Sequence, residues 1–185
     1  NVPIIKISEI FDDSVIAKQL DKIIYLQNYE KNIQYSSSSI IAGLADENRF
    51  FTLSGDIDYK DHICTMANHL VQQGSVDQAF TERLLQREEQ STTVFDRMIA
   101  VPHAVNYASN QIILAIGVLP ESIKRANHDV RLIFMLAIPE NEEQNTTGLL
   151  VKLYEEIIEI ANDQKMVDKL ANCKTFEELF FTLND

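Results

Sequence analysis

Hydrophobic residues form three short, nearly continuous runs in the middle of the chain. These runs are Met98–Val101, Ile112–Val118 and Val130–Ala137. Each has the length of a strand, and near-continuous apolar character is typical of strands that are covered on both faces of a sheet. Segments with helical periodicity come before and after the runs. This order predicts an α/β domain in which a mixed β-sheet is flanked by helices on both faces.

An opening strand and two helices are predicted before the apolar runs. The strand is expected within residues 50–53, where aromatic and aliphatic residues cluster. Tyr59–Gln73 has helical spacing of its apolar residues and is followed by Gly74, a favourable C-cap residue. The segment Ser75–Gln78 has the character of a capping box, so a second helix is expected to begin there and to deliver Arg87.

Three helices are predicted after the runs. The polar segment Pro139–Glu143 is expected to be a loop, and Thr146 or Thr147 can cap a long helix that follows it. Asp163–Leu170 predicts a shorter helix. Thr175–Glu178 is a capping box that opens the last helix of the chain.

The first quarter of the chain has a different pattern. Val2–Ile7 alternates like a short strand, and an amphipathic helix pattern follows it. We expect 1–27 to be a strand–helix remnant of an upstream domain, 28–47 to be a serine-containing linker, and 48–185 to be the main domain. The apolar opening of the chain suggests an internal cut from a longer polypeptide.

The segment around His103 carries the best candidate chemistry. His103 follows Pro102, which is expected to stop the strand and leave the imidazole at the rim of the sheet. A neutral imidazole is a nucleophile near pH 7, since its unperturbed pKa is about 6.5. Phosphoryl transfer also needs a cation near the phosphate oxygens, and Arg87 is a candidate. The alternative is that His103 is only a polar residue at the end of a strand.

These residues resemble the phosphorylation segment of the fructose/mannitol family of enzyme IIA domains of the bacterial sugar phosphotransferase system (PTS). The similarity lies in Arg87-Glu88-Glu89, the hydroxyl cluster at 91–93 and the segment Ile99–Ala104, and it continues through the later strands and helices. In that family the arginine opens the motif, a threonine lies near its centre, and the histidine accepts phosphate. The resemblance implies the enzyme IIA fold, with phosphate on His103 and with Arg87 and Thr93 stabilising it.

The chain departs from the family pattern in two places. The family usually has a glycine in the turn before the strand, where this chain has Asp96-Arg97, so a more ordinary backbone is expected there. Transport members often have a second histidine before the long helix, and Thr146 occupies the matching position. A hydroxyl can hydrogen-bond to phosphate but carries no positive charge. Thr146 is therefore a weaker phosphate-stabilising candidate, which favours a regulatory domain.

Composition excludes several classes of function. The net charge of −12 argues against direct nucleic acid contact by this segment, since phosphate backbones are bound by clustered lysine and arginine. No apolar run approaches the length of about 18 residues that suggests a membrane span. Five glycines, with no G-x-G arrangement, give no phosphate-binding loop, and no cofactor is expected. Cys64 and Cys173 are read as reduced thiols of a cytoplasmic protein.

The remaining histidines are not predicted to bind metal. His62 and His69 are seven residues apart, which is about 10.5 Å along a helix, and Cys64 lies on a different face from His62. One zinc ion cannot collect these side chains from one helix. His128 falls in a predicted turn, Asn127–Asp129, and is expected to be solvated.

Three functions remain open. In the first, this is the enzyme IIA-like domain of a PTS-controlled transcription regulator or antiterminator, preceded by an enzyme IIB-like domain, and phosphorylated at His103 by HPr or by an enzyme IIB. The phosphate then changes contacts with neighbouring domains of the parent chain. In the second, it is a working enzyme IIA that relays phosphate from HPr to IIB in a sugar permease. In the third, it is an inactive scaffold. Whether a phosphohistidine acceptor of this kind acts as an enzyme stays open, and a homodimer is possible.

Overall fold

The computed structural model describes residues 39–91, 93–95, 97–140 and 144–185. The predicted strand–helix segment, 1–27, lies outside the described residues, as does most of the predicted linker, 28–47. The end of that linker range forms a short helix whose Ile41 is buried in the core. None of the described helices is long and apolar enough to cross a membrane.

Six strands form one mixed sheet, as predicted. The two long central strands, β5 and β6, pair antiparallel with each other, while β1 runs parallel to β5, and β3 and β4 run parallel to β6. The edge strand β2 pairs antiparallel with β3. The bounds are β1 Phe50–Thr52, β2 Val94–Phe95, β3 Met98–Ala100, β4 His103–Asn106, β5 Ile113–Arg125 and β6 His128–Pro139.

Helices cover both faces of the sheet, as predicted. Successive residues of β6 point to opposite faces: Phe134 packs in one core with Leu153 of the long helix, and Ile133 packs in the other with Ile63. This alternation explains why β5 within 113–119 and β6 within 132–139 are apolar at nearly every position. The helices are α1 Ile40–Leu44, α2 Tyr59–Gln72, α3 Phe80–Gln90, α4 Gln144–Asn162, α5 Gln164–Ala171 and α6 Phe176–Asn184, with a 3₁₀ turn at Glu47–Arg49.

Strand β3 ends at Ala100, before Pro102 as predicted, but His103 itself begins a further paired strand, which the prediction did not include. Ala100 pairs with Ile133 and His103 with Leu136, so β3 and β4 follow β6 in one continuous register. The carbonyl of Pro102 accepts a hydrogen bond of 2.9 Å from the Leu136 N–H. Proline has no N–H group, and this pairing does not require one. His103 is therefore the first residue of a paired strand and is half-buried.

The second helix does not begin at Ser75–Gln78 as predicted. Helix α3 begins at Phe80, and the carboxylate of Asp77 accepts hydrogen bonds from the N–H groups of Ala79 and Tyr107 and from the Arg83 side chain. Burial raises the pKa of Asp77, but these hydrogen bonds outweigh it and lower the pKa below its usual value.

The long helix α4 begins at Gln144, so Thr146 and Thr147 lie within its first turn instead of capping it. The predictions for the two last helices are confirmed, since Asp163 and Thr175 accept hydrogen bonds from the first N–H groups of α5 and α6.

His128 begins β6 and does not lie in the turn before it, which is another correction. The hairpin between β5 and β6 turns at Ala126 and Asn127, and Ala126 has a positive φ of 52°. His128 therefore pairs with Arg125 across the hairpin. This pairing fixes Arg125 close to the last turn of helix α3, where its guanidinium donates a hydrogen bond to the Glu88 carbonyl.

The turn between β2 and β3 has a glycine-like backbone although no glycine is present. Arg97 has a φ of 101° and Met98 a φ of 70°. The expectation of an ordinary backbone here is therefore wrong. Side chains other than glycine are strained at positive φ because Cβ approaches backbone atoms. The turn keeps the shape that a glycine would give it, at a cost in stability.

Arg97→Gly should raise the free energy of unfolding by about 1 kcal/mol, because glycine adopts positive φ without strain. The matched control is Arg97→Ala, which removes the same exposed side chain and keeps the strain. Urea unfolding of the three proteins measures the difference. Equal stabilisation by both substitutions would show that the side chain, and not the backbone, is responsible.

Candidate functional site

The His103 imidazole is held by the chain just before it. Its Nδ1 lies 2.9 Å from the carbonyl oxygen of Val101. A carbonyl oxygen can only accept, so Nδ1 carries the proton in the neutral ring. The lone pair is then on Nε2, which has no hydrogen-bond partner among the described residues. The half-buried ring thus presents a nucleophilic Nε2 away from its backbone support.

Thr93 is linked to His103 through Val101. The Thr93 carbonyl accepts a hydrogen bond of 3.0 Å from the Val101 N–H, which extends the β2–β3 hairpin by one residue. The Thr93 hydroxyl donates to Glu88 Oε2 at 2.6 Å, and the Thr93 N–H donates to Glu88 Oε1 at 3.5 Å. The Thr93 hydroxyl is therefore engaged by Glu88, while its carbonyl holds the peptide next to His103.

Glu88 is a buried charge that sequence analysis missed. Its exposed fraction is 4%, although it stands in the charged segment Arg87-Glu88-Glu89. A signal was present: Phe80, Leu84 and Glu88 are spaced four apart and are the buried residues of α3. Arg125 compensates the carboxylate, with Nε 3.4 Å from Oε1 and with Nη2 donating to the Glu88 carbonyl at 3.0 Å.

Tyr59 completes this buried cluster. Its exposed fraction is 2%, and the Arg125 guanidinium lies 5.6 Å from the centre of its ring. Burial and then the negative charge of Glu88 raise the pKa of the Tyr59 hydroxyl, so it stays protonated. Among the described residues, no atom accepts or donates to this hydroxyl with good hydrogen-bond geometry.

Arg87 lies in the last turn of α3, one residue before Glu88, and is half-buried. Its Nη1 donates to the Ser91 carbonyl at 3.2 Å, which satisfies a group beyond the helix C-terminus. Burial raises the pKa of Tyr154, and the positive charge of Arg87 opposes that rise. The Arg87 guanidinium therefore lies near Tyr154 of helix α4.

Hydrogen bonds among the described residues connect three of the four predicted site residues and do not include Thr146. Arg87, Thr93 and His103 are joined through the end of α3 and the β2–β3 hairpin. Thr146 is half-buried in the first turn of α4 and makes no hydrogen bond to the other three within the described residues. The roles assigned to all four residues stay predictions.

His62 and His69 serve the fold. His62 Nε2 donates to the Ser54 carbonyl at 2.7 Å, and His69 Nε2 donates to the Asn48 carbonyl at 3.1 Å. Each imidazole is hydrogen-bonded to the backbone of a neighbouring segment. Within the described residues, no group of three histidine, cysteine, aspartate or glutamate side chains is placed to hold a metal ion.

Comparison with known proteins agrees with this geometry. Residues 46–185 match the family described as "Phosphoenolpyruvate-dependent sugar phosphotransferase system, EIIA 2". The transcriptional regulator ManR of Bacillus subtilis is 32% identical over 114 residues, which cover 60% of this chain and 17% of the regulator. The mannitol-specific phosphotransferase enzyme IIA component of the same organism is 23% identical over 147 residues, covering 77% of this chain and 96% of that protein.

The fold is also that of a solved enzyme IIA. In a complex of enzyme IIA-mannitol with phosphorylated enzyme IIB-mannitol from Escherichia coli, the matching chain has a TM-score of 0.60 and 18% identity. The match covers 75% of this chain and 96% of that chain. The family match over most of the chain, together with this fold, shows that the chain belongs to the EIIA 2 family of the phosphoenolpyruvate-dependent sugar phosphotransferase system.

Proposed function

We propose that His103 accepts a phosphoryl group on Nε2 and that the phosphate regulates a longer transcription regulator of which this chain is a part. The observation that carries the proposal is the hydrogen bond from His103 Nδ1 to the Val101 carbonyl. It keeps the proton on Nδ1 and leaves the Nε2 lone pair for attack.

In the proposed step, the Nε2 lone pair attacks the phosphorus of a phosphorylated PTS protein. The bond from phosphorus to the donor's side chain breaks, and its electron pair leaves with the donor. His103 keeps its Nδ1 proton, so the phosphorylated ring is cationic and its hydrogen bond to the Val101 carbonyl becomes charge-assisted. Arg87, whose fork of N–H groups suits phosphate oxygens, stabilises the transferred group.

The regulatory role is favoured by two observations. The chain is similar to ManR, a transcriptional regulator, and the similar segment is 17% of that much longer protein. Thr146 occupies the position of the family's second histidine, and a hydroxyl supplies no cation to speed transfer. In this proposal 48–185 is the phosphoacceptor domain, 28–47 a linker, and 1–27 the end of an upstream enzyme IIB-like domain.

The partners follow from the same proposal. HPr or an enzyme IIB supplies the phosphoryl group, and neighbouring domains of the parent chain respond to the added charge of about −1.5 to −2. The net charge of −12 disfavours direct nucleic acid contact by this segment, so other domains would contact DNA or RNA. We place the protein in the cytoplasm, where Cys64 and Cys173 would stay reduced, and a homodimer of the domain is part of the proposal.

A phosphotransfer assay tests the proposal. The protein is incubated with labelled phosphoenolpyruvate, enzyme I and HPr, and the expected product is an acid-labile, base-stable label that mass spectrometry places on the His103 peptide. Reactions that lack enzyme I or HPr are the controls. Phosphorylated IIB is then tried as a second donor, and absence of label from both donors would contradict the proposal and leave the inactive scaffold.

The second candidate function is a transport enzyme IIA, which the end-to-end match to the mannitol component favours. A chase of the labelled protein with unphosphorylated IIB separates the two. Rapid and complete loss of label to IIB indicates a relay. Label that persists indicates a regulatory phosphate.

A further inference from the structure

A buried carboxylate is connected to the proposed phosphoacceptor by an unbroken series of hydrogen bonds. Arg125 donates to Glu88, Glu88 accepts from the N–H and hydroxyl of Thr93, the Thr93 carbonyl accepts from Val101, and the Val101 carbonyl accepts from His103 Nδ1. We propose that Glu88, oriented by Arg125, is a positioning residue that fixes the Nδ1-protonated tautomer of His103. This inference rests on the proposed phosphorylation of His103.

The position calls for a carboxylate. Glu88 accepts from three side-chain or backbone donors at once: the Thr93 N–H, the Thr93 hydroxyl and Arg125 Nε–H. A carboxylate has two oxygens and accepts only, whereas an amide of the same size would place its NH₂ group against one of these donors. Burial of an unpaired charge would be strongly destabilising, and Arg125 is the cation that compensates it.

Glu88 also joins the last turn of α3 to the start of edge strand β2. It belongs to α3, and its two oxygens hold Thr93, the residue just before edge strand β2. Arg125, in the β5–β6 hairpin, donates to the Glu88 carbonyl and so holds the same end of the helix. The end of α3, the start of β2 and the end of β5 are thus fixed relative to one another.

The consequence for His103 passes through the Val101 peptide. The Thr93 carbonyl binds the Val101 N–H, and the Val101 carbonyl is the acceptor that holds His103 Nδ1. Without the hydrogen bonds from Thr93 to Glu88, the start of β2 is held less firmly. The Val101 peptide can then turn its carbonyl toward water. The imidazole would then exchange Nδ1–H and Nε2–H tautomers, and only the Nδ1–H form presents a lone pair at Nε2.

The decisive measurement is the tautomer of His103 in the folded, unphosphorylated protein, read from the ¹⁵N chemical shifts of the imidazole. Wild type should show Nδ1–H. Glu88→Gln and Arg125→Met should each give a mixture of tautomers, and Glu88→Ala a larger change. The initial rate of phosphorylation should fall about 10-fold in E88Q and about 100-fold in E88A, the range expected when a reacting group is misplaced.

Glu89→Gln is the matched control, since it removes the same charge one residue away. The Glu89 side chain is exposed and pairs with Lys60 at the surface, so tautomer and rate should stay as in wild type. A purely structural Glu88 would lower the melting temperature while the folded molecules kept wild-type tautomer and rate. That result in both E88Q and R125M would overturn the proposal, even if E88A fails to fold.

The tautomer measurement needs no phosphodonor, so it separates this inference from the proposed function. If wild type accepts no phosphate but its tautomer shifts in E88Q, the function fails and the positioning stands. If wild type is phosphorylated normally and E88Q matches it in tautomer and rate, the positioning fails and the function stands. An Nε2–H tautomer in wild type would overturn both.

Discussion

His103→Gln is expected to abolish phosphate incorporation from phosphoenolpyruvate, enzyme I and HPr, while the stability of the domain changes little. A glutamine amide can still donate a hydrogen bond to the Val101 carbonyl but has no nucleophilic nitrogen lone pair. The ring is half-buried with one described hydrogen bond, so its loss should cost about 1 kcal/mol of unfolding free energy. Label incorporation and urea unfolding, measured on the same preparations, check both parts.

His128→Gln is the control for His103→Gln. His128 begins β6 at the hairpin, toward the opposite end of that strand from Leu136, the partner of His103. The variant should incorporate phosphate like wild type. Label retained in His103→Gln, or lost in His128→Gln with an intact fold, would contradict the assignment of the acceptor.

Most of the fold follows from apolar periodicity. Both central strands could be predicted because each contains a nearly continuous apolar run. The structure explains these runs by the separate cores on the two faces of the sheet. The strands β2 and β4 were missed. Val94–Phe95 is too short for a periodicity, and His103–Asn106 follows a proline, which usually marks the end of a strand.

The errors at helix ends have a common physical cause. Local patterns at Ser75–Gln78 and at Thr146 resemble caps, but the structure uses the polar groups elsewhere or places them inside the helix. Asp77 satisfies Arg83 and the backbone of Tyr107, a residue distant in sequence that β4 brings close. Such partners depend on the tertiary fold, so no local rule identifies them.

The candidate site could be predicted in part. His103, Arg87 and Thr93 were found through the resemblance of a short segment, while the spacing of α3 alone would have placed Glu88 on the buried face. Its significance depends on Arg125, which reaches it from another hairpin. The tautomer of His103 depends likewise on the Val101 carbonyl, and the hydrogen bond from the Val101 N–H to Thr93, through which we infer that Glu88 holds this peptide, is not visible in the sequence motif.

Arg87→Gln should lower the initial rate of phosphorylation by about 100-fold and leave the fold nearly unchanged. Arginines that stabilise a transferring phosphoryl group contribute about 10³-fold or more in other enzymes, and the amide of the glutamine variant can still donate a hydrogen bond to a phosphate oxygen. The side chain's described hydrogen bond is to the Ser91 carbonyl, so its loss should cost about 1 kcal/mol or less. Arg87→Lys should recover part of the rate, since lysine keeps the charge but not the planar fork.

Arg83→Gln is the matched comparison, because Arg83 lies one turn earlier on the same helix and has the opposite kind of role. Its guanidinium binds Asp77 at 2.5 Å, donates to the Val105 carbonyl at 2.9 Å and lies 4.6 Å from the centre of the Tyr107 ring. Removing it should lower the free energy of unfolding by about 2 kcal/mol and leave the phosphorylation rate of folded protein unchanged. Phosphate incorporation and urea unfolding of both variants should therefore give opposite results. A wild-type rate in Arg87→Gln would show that Arg87 has no part in the transfer.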